Sequence, residues 1–388
     1  MERAEIGVGL VGYKFMGRAH SNAYRQVASF FDVDPVPRMA AICGRDEAGV
    51  MEAADTLGWD TYETDYRKLI ARDDIDLVDV VTPGNTHREI VLAALEAGKH
   101  VLCEKPLANK RSEAYEMLTA ARNAGTVNMV CFNYRRAPAV QLARKLVEEG
   151  RLGEIRHWRA TYLQDFIMDP DFPLIWRLKK EVSGSGALGD IGAHIIDLAH
   201  FIVGPISEVT GMTKTFIEER PLEEAGGGLS AGGGTEMGEV TVDDAAAFLA
   251  RFENGAIGTF EATRFAAGRR NQNSFEINGS KGSVAFDLER MNELEVFFTE
   301  DEADVQGFRT VNVTEPDHPY TGAWWPPGHI LGYEHTFVHT MKDLMDGIKA
   351  GKSPSPTFED GYRCQAVLDA VERSARSGEW MKPETEGI

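Results

Sequence analysis

Cysteine is scarce in this chain, with four in 388 residues. Cys43, Cys103, Cys131 and Cys364 show no paired spacing, and three sit in apolar, strand-like contexts. That distribution argues against a disulfide frame and a zinc site, and predicts reduced core thiols in a cytosolic protein. No metal site is expected. Positive charge is also short: 41 Lys and Arg stand against 61 Asp and Glu, a formal charge of −20. Such a surface repels nucleic acid and anionic membranes. No apolar run reaches membrane-spanning length, and the N-terminus lacks a basic-then-apolar leader, so a cytoplasmic, membrane-free protein is expected.

What is present is length and alternation. A chain of 388 residues exceeds what one core usually serves, so two domains are expected. Apolar strands and amphipathic helices alternate as far as the strand Val127–Phe132. This predicts an α/β domain over residues 1–135, built on a doubly wound parallel sheet. Residues 136–388 read as an α+β domain with a large, open, mostly antiparallel sheet, and the last helices are free to pack back on the first domain. Gly226–Gly238 is glycine-rich and reads as a mobile loop.

The first strand, Ile6–Val11, runs into Gly12-Tyr13-Lys14-Phe15-Met16-Gly17. A literal G-x-G-x-x-G match falls on Gly7, Gly9 and Gly12, but no strand precedes Gly7. The workable register puts the tight turn at Gly12 and the helix-packing glycine at Gly17, so the middle glycine is missing and Lys14 stands there. The second strand ends in Gly44-Arg45, where an NAD site usually carries an acidic residue. Arg45 suits a 2′-phosphate and equally suits stacking on adenine, so NAD and NADP both stay open.

Ligands of doubly wound sheets bind outside the carboxyl ends of the strands. Three strand ends there carry chemistry: Thr82-Pro83 with Asn85 and His87, Glu104-Lys105-Pro106, and Asn133-Tyr134. Lys105 follows a buried strand and precedes a proline that restricts it to extended backbone. Further on, Asp190, His194 and Asp197 are spaced by four and three and share one helical face behind a glycine-rich run. The pattern suits a catalytic histidine beside a carboxylate. It also suits a capped helix with a satisfied buried histidine, and more weakly a cation site.

Together these pieces resemble the Gfo/Idh/MocA family of nicotinamide-dependent sugar and inositol oxidoreductases. The matching stretches are Gly12 to His20, Thr82-Pro83, Glu104-Lys105-Pro106 and Asp190-Ile191-Gly192-Ala193-His194. Asn133 to Arg136, Thr161 to Asp165, Trp176-Arg177 and His318-Pro319-Tyr320 look most like levoglucosan dehydrogenases and related sugar 3-dehydrogenases. The resemblance implies a Rossmann domain, a second-domain sheet used in a homodimer or homotetramer, and Lys105, His194 and Asp190 as the catalytic set. Cofactor contacts are expected from Gly12, Lys14, Phe15, Met16, Arg45, Thr82, Pro83, Asn85, His87, Glu104, Lys105 and Asn133. Tyr134, Gln164, Trp176 and Arg177 are candidates to line a sugar site, their aromatic faces suiting C–H edges and their amides and guanidinium suiting hydroxyls.

The reaction expected is hydride transfer between a secondary hydroxyl and a nicotinamide. His194 is the expected base, since its unperturbed pKa lies near neutrality. Lys105 is the expected donor to the developing alkoxide, or the base itself if burial depresses it. A glycoside hydrolase that uses NAD transiently, and a non-catalytic cofactor-binding regulator, are the alternatives. Trp324-Trp325-Pro326-Pro327 is an aromatic loop that suits either a lid or a subunit contact.

Overall fold

The computed structural model describes residues 3–223 and 232–385. The chain divides into two compact units: Met1–Arg136 with Gly322–Trp325 and Leu331–Tyr362, and Ala137–Thr321 with Pro326–Ile330 and Arg363–Ile388.

The first unit alternates strand and helix: β1 (Glu5–Val11), α1 (Phe15–Phe30), β2 (Val36–Cys43), α2 (Glu47–Leu57), β3 (Thr61–Glu63), α3 (Tyr66–Ile70), β4 (Leu77–Val80), α4 (His87–Glu96), β5 (His100–Glu104), α5 (Arg111–Ala124) and β6 (Asn128–Cys131). All six strands are parallel, in the order β3-β2-β1-β4-β5-β6. β1 is buried on both faces from Ile6 to Val11, which is why it reads as an unbroken apolar run. The switch in strand order falls between β1 and β4, where the crevice of such a sheet lies.

The boundary at residue 135 is incomplete. The helix Tyr333–Ala350 returns to this unit and adds Phe337, Val338, Met341, Leu344 and Met345 to a core shared with Ala23, Tyr24 and Val27 of α1. Trp324 joins the same unit: its ring stacks against Phe30 at 4.2 Å, and its Nε1–H donates to His339 Nε2 at 2.8 Å. The other ring nitrogen of His339 lies 2.9 Å from the Arg136 carbonyl. One donated and one accepted bond define a neutral ring. Trp324 thus packs within the first unit.

The second unit opens with α6 (Pro138–Glu148), β7 (Ile155–Leu163), α7 (Lys180–Ser183) and α8 (Ala193–Ile202). Strands follow: β8 (Ile206–Lys214), β9 (Glu219–Glu223), β10 (Gly233–Glu239), β11 (Ala245–Phe252), β12 (Ile257–Thr263), β13 (Gln272–Gly279), β14 (Gly282–Asp287), β15 (Glu293–Phe298) and β16 (Arg309–Asn312). The chain ends with α9 (Tyr333–Ala350), already described, and α10 (Phe358–Ser377). Eight strands form one sheet, β16-β15-β14-β13-β7-β12-β11-β8, antiparallel except where β7 meets β12. Burial alternates along β11 and β13, as a sheet with one covered face requires. Trp158 is fully buried on that face and stacks on Phe275 at 5.1 Å.

Part of the glycine-rich stretch is not a loop. Gly233–Glu239 is strand β10, paired antiparallel with β9. The part of Gly226–Gly238 before residue 232 lies outside the described residues.

Burial holds the His339 pKa down at about 3. A histidine depressed on folding contributes stability that is complete above its unfolded value and is lost as pH falls below it. The first unit is therefore expected to lose stability progressively from about pH 6.5 towards about 3. Thermal unfolding as a function of pH checks this; in His339→Gln the acid dependence over that window should shrink.

Candidate active site

In the first unit, β1 ends at Gly12, whose φ is +112°. A Cβ there would fall 2.9 Å from the Val81 carbonyl oxygen, so both the turn and the packing require glycine. A Cβ on Gly17 would lie 2.5 Å from the Gly12 oxygen, which explains that position too. α1 then starts with no acidic residue in its first turn and no side-chain cap, so its N-terminal N–H groups suit an anion. Lys14 does not fill the cradle: it is exposed, with its ammonium 4.9 Å over the Tyr13 ring. Phe15 is exposed and Met16 half-buried beside it.

The missing acid at the end of β2 has a local cause. The Tyr13 ring lies where a side chain on residue 44 would be; a Cβ on Gly44 would sit 2.2 Å from it. Asp46 caps α2, accepting from Gly49 N at 3.2 Å. Arg45 is exposed at this rim.

The ends of β4 and β5 are tied together. Thr82, Pro83 and Asn85 form the β4 exit, with Thr86 Oγ1 donating to the Pro83 carbonyl at 2.8 Å. His87 was expected to touch cofactor. It is buried instead, with Nε2 2.8 Å from the Thr82 carbonyl and Nδ1 3.0 Å from the Pro106 carbonyl. It holds the β4 exit against the Lys105-Pro106 turn. The Glu104 side chain likewise points inward: one oxygen lies 3.1 Å from His20 Nε2 and the other accepts the Lys105 N–H at 3.0 Å. Its carboxylate is engaged inside the unit. Burial opposes the Glu104 charge, but the His20 contact outweighs it and holds the carboxyl below its usual range. Asn133, at the β6 exit, is buried and donates to Thr336 Oγ1 at 2.9 Å. Tyr134 is also buried, 6.2 Å ring to ring from Tyr333.

In the second unit, Leu188–Gly192 forms a π-helical turn that runs into α8, so Asp190 lies in the wide turn and His194 in the first turn of the helix. Such turns concentrate at functional sites. The segment is anchored by Asp243, which accepts Gly186 N at 2.7 Å and Leu188 N at 2.8 Å through its two carboxylate oxygens. A Cβ on Gly186 would be 1.7 Å from the Asp243 carbonyl oxygen, so only glycine admits that approach. Arg264, fully buried, lies 3.7 Å from Asp190. Burial lowers the Arg177 pKa; Asp190 opposes that shift and Arg264 adds to it. Arg264 is thus the guanidinium beside this carboxylate. The buried His194 ring lies 5.7 Å from that of Tyr162. Asn271 Oδ1 accepts from Tyr162 Oη at 2.7 Å and Gln164 Nε2 at 2.8 Å. Arg177 stacks on Trp176 at 4.3 Å.

The structure thus gathers Gly12, Thr82, Lys105 and Asn133 at the carboxyl ends of the first unit's strands, and Asp190, His194, Gln164 and Arg177 in the second unit. Sequence reasoning missed His20, Asp79, Asp243, Arg264 and Asn271. Two of these carried a signal: Asp79 as a charge inside the apolar run Leu77-Val78-Asp79-Val80-Val81, and His20 as the last residue of the matching Gly12-to-His20 stretch.

Residues 6–132 match the oxidoreductase family with an NAD-binding Rossmann fold, and residues 140–285 match the GFO/IDH/MocA C-terminal domain. Levoglucosan dehydrogenase from Pseudarthrobacter phenanthrenivorans is 45% identical over 381 residues, 97% of either chain. An oxidoreductase domain protein from Kribbella flavida is 55% identical with a TM-score of 0.94, covering 98% of this chain and 100% of that one. A structure of levoglucosan dehydrogenase with NADH and levoglucosan matches at 44% identity and a TM-score of 0.93, covering 98% and 100%. The class is therefore an oxidoreductase with an NAD-binding Rossmann domain, and the turn at Gly12, which no side chain could share, fits that cofactor. The chain belongs to the Gfo/Idh/MocA family.

Gly12→Ala should weaken NADH binding about tenfold or more, since the left-handed backbone alone costs about 1–2 kcal/mol. Fluorescence titration with NADH measures this. Unchanged affinity in a folded variant would contradict the cradle.

Proposed function

We propose that this chain oxidises a secondary hydroxyl of a sugar-like substrate at C3, levoglucosan or a related pyranose or glycoside, with NAD as partner. The observation that carries the reading is the full-length likeness to the structure holding NADH and levoglucosan. NAD, when bound, supplies the hydride acceptor. Gly12, Lys14, Phe15, Met16, Thr82, Pro83 and Asn85 hold it, with Arg45 at the adenosine end.

A secondary alcohol releases hydride from carbon only as its oxygen loses a proton. His194 takes that proton. The Lys105 ammonium donates a hydrogen bond to the oxygen as charge develops, a contribution that grows where water is excluded. Asp190, beside Arg264, hydrogen-bonds a sugar hydroxyl and orients the ring. Tyr134, Gln164, Trp176 and Arg177 line the remainder of the substrate. This assignment rests on the family resemblance and on the local geometry of each unit.

The enzyme acts as a homodimer or homotetramer through the second unit's sheet, in the cytoplasm. Adjacent strands β8, β11 and β12 expose Met212, Leu249 and Ile257, and exposed apolar side chains on one sheet suit a subunit contact. Among the described residues, no helix is long and apolar enough to cross a membrane.

The test is NADH absorbance with levoglucosan, pyranoses, glycosides and inositols, using NAD and NADP separately. NADH should accumulate with levoglucosan or a close analogue. His194→Ala and Lys105→Ala should each lower turnover by about a hundredfold or more, as loss of an acid–base group does. No sugar-dependent NADH, or product without net NADH, would overturn the reading.

A further inference from the structure

We propose that His20 is a positioning residue for the Lys105 turn: a buried imidazolium that ties Glu104 to Asp79 and so fixes the main chain from which the Lys105 amine projects. The inference builds on the role given to Lys105 above. His20 lies on α1 and is fully buried. Its Nδ1 is 2.7 Å from Asp79 Oδ2 and its Nε2 is 3.1 Å from Glu104 Oε1. A neutral imidazole has one N–H. One of the two contacts would then set a ring lone pair against a carboxylate oxygen. Two donors, and hence the charged ring, satisfy both.

The sheet explains why two carboxylates meet there. Asp79 is opposite Leu102 in the β4–β5 register, and Glu104 is two residues beyond Leu102. Both side chains therefore leave the same face of the sheet, the face that α1 covers. Two adjacent buried carboxylates without a cation would be strongly unfavourable. Tyr24 Oη donates to Asp79 Oδ2 at 2.9 Å, and Cys131 Sγ lies 3.6 Å from His20 Nε2. Cys103, Tyr333 and Lys105 complete the titratable surroundings of the carboxylates, and the Phe337 ring closes the cluster 5.3 Å from His20. Burial pushes the Cys131 thiol up to about 12, so it keeps its proton. Although ligand atoms of His20, Glu104 and Cys131 lie within 4.8 Å of one another, this chemistry is that of a hydrogen-bonded cluster. Burial opposes the His20 charge most strongly, but Asp79 and Cys131 together outweigh it and hold the pKa well above its ordinary value.

The cluster reaches the active lysine through one bond. Glu104 Oε1 faces His20 while Oε2 accepts the Lys105 N–H. On the far side of Lys105, the Pro106 carbonyl faces His87. The turn is thus held on both sides of the catalytic residue, and His20 supplies the charged side. Misplacing a reacting group by about 1 Å costs on the order of a hundredfold in rate.

The experiment uses the NADH complex labelled with ¹⁵N-histidine. One ring, identified by its loss in His20→Gln, should keep both nitrogens protonated well above the pH at which an ordinary histidine, pKa about 6.5, becomes neutral. A His20 ring that is neutral, or that titrates near that value, overturns the proposal. In His20→Gln and in the milder Asp79→Asn, kcat for the sugar should fall about 10- to 100-fold, with NADH affinity within about threefold of the parent. Either variant, folded and with parental kcat, would also overturn it. A third measurement does not depend on turnover: acetylation of Lys105, followed by mass spectrometry against exposed Lys68, should speed up at least about threefold in both variants as the turn loosens. If the parent enzyme reduces no NAD with any sugar, the substrate reading fails while the ring spectrum and the acetylation rates still decide the role of His20.

Discussion

Two buried carboxylates on neighbouring strands, and the histidine between them, are the constraint on which the first unit turns. Strand alternation puts Asp79 and Glu104 on one face, and α1 must cover that face to complete the core. An apolar helix face would leave both charges unpaired. The helix therefore carries His20 and Tyr24 at the positions that meet Asp79 and Glu104. The polar cluster sets where α1 packs, α1 begins at the Gly12 turn, and Glu104 reaches the Lys105 main chain. Breaking a buried pair by removing one partner costs about 3–5 kcal/mol, so the arrangement tolerates little drift. Its sign with pH is also fixed: a histidine raised on folding contributes fully below its unfolded pKa, and that contribution is lost as pH rises through the folded value.

The second unit solves a similar problem with neutral donors. Its glycine-rich segment must pass close to the loop carrying Asp243 and then start a helix carrying His194. Asp243 holds two main-chain N–H groups of that segment, and Gly186 lets the backbones touch. Asp190 then falls in the wide turn, close to a buried guanidinium. In both units the candidate catalytic side chain is held by a residue one step removed: Glu104 for Lys105, and Asp243 for the segment bearing Asp190.

How much of this was legible in the sequence depends on the range of the interactions. Local signals read well. The unbroken apolar strands, the Gly12 and Gly17 pair and the proline after Lys105 all follow from neighbours in the chain. Long-range contacts did not. β9 contains a proline and β10 is mostly glycine and polar residues; only their pairing with each other makes them strands. α9 has the periodicity of any amphipathic helix, and nothing local says that its apolar face belongs to α1, some 300 residues away. The π-helical turn at Leu188–Gly192 is set by Asp243 from a distant loop.

The same logic explains the polar contacts of two residues expected at the site. His87 and Glu104 stand at strand exits, where a sequence argument assigns every polar side chain to the ligand. Yet a loop that must hold a lysine still needs its own polar groups satisfied, since a buried donor or acceptor left unpaired costs about 1–3 kcal/mol. His87 faces the carbonyls of Thr82 and Pro106, and Glu104 takes the N–H of Lys105. The polar residues at a strand exit thus divide in two: some face the ligand, and others face the loops that present them. Lys14, Phe15 and Arg45 are exposed, whereas His20, His87 and Glu104 are buried. The buried set is where a substitution would alter the chemistry without touching a reactant, because it governs the position of Lys105 rather than its identity.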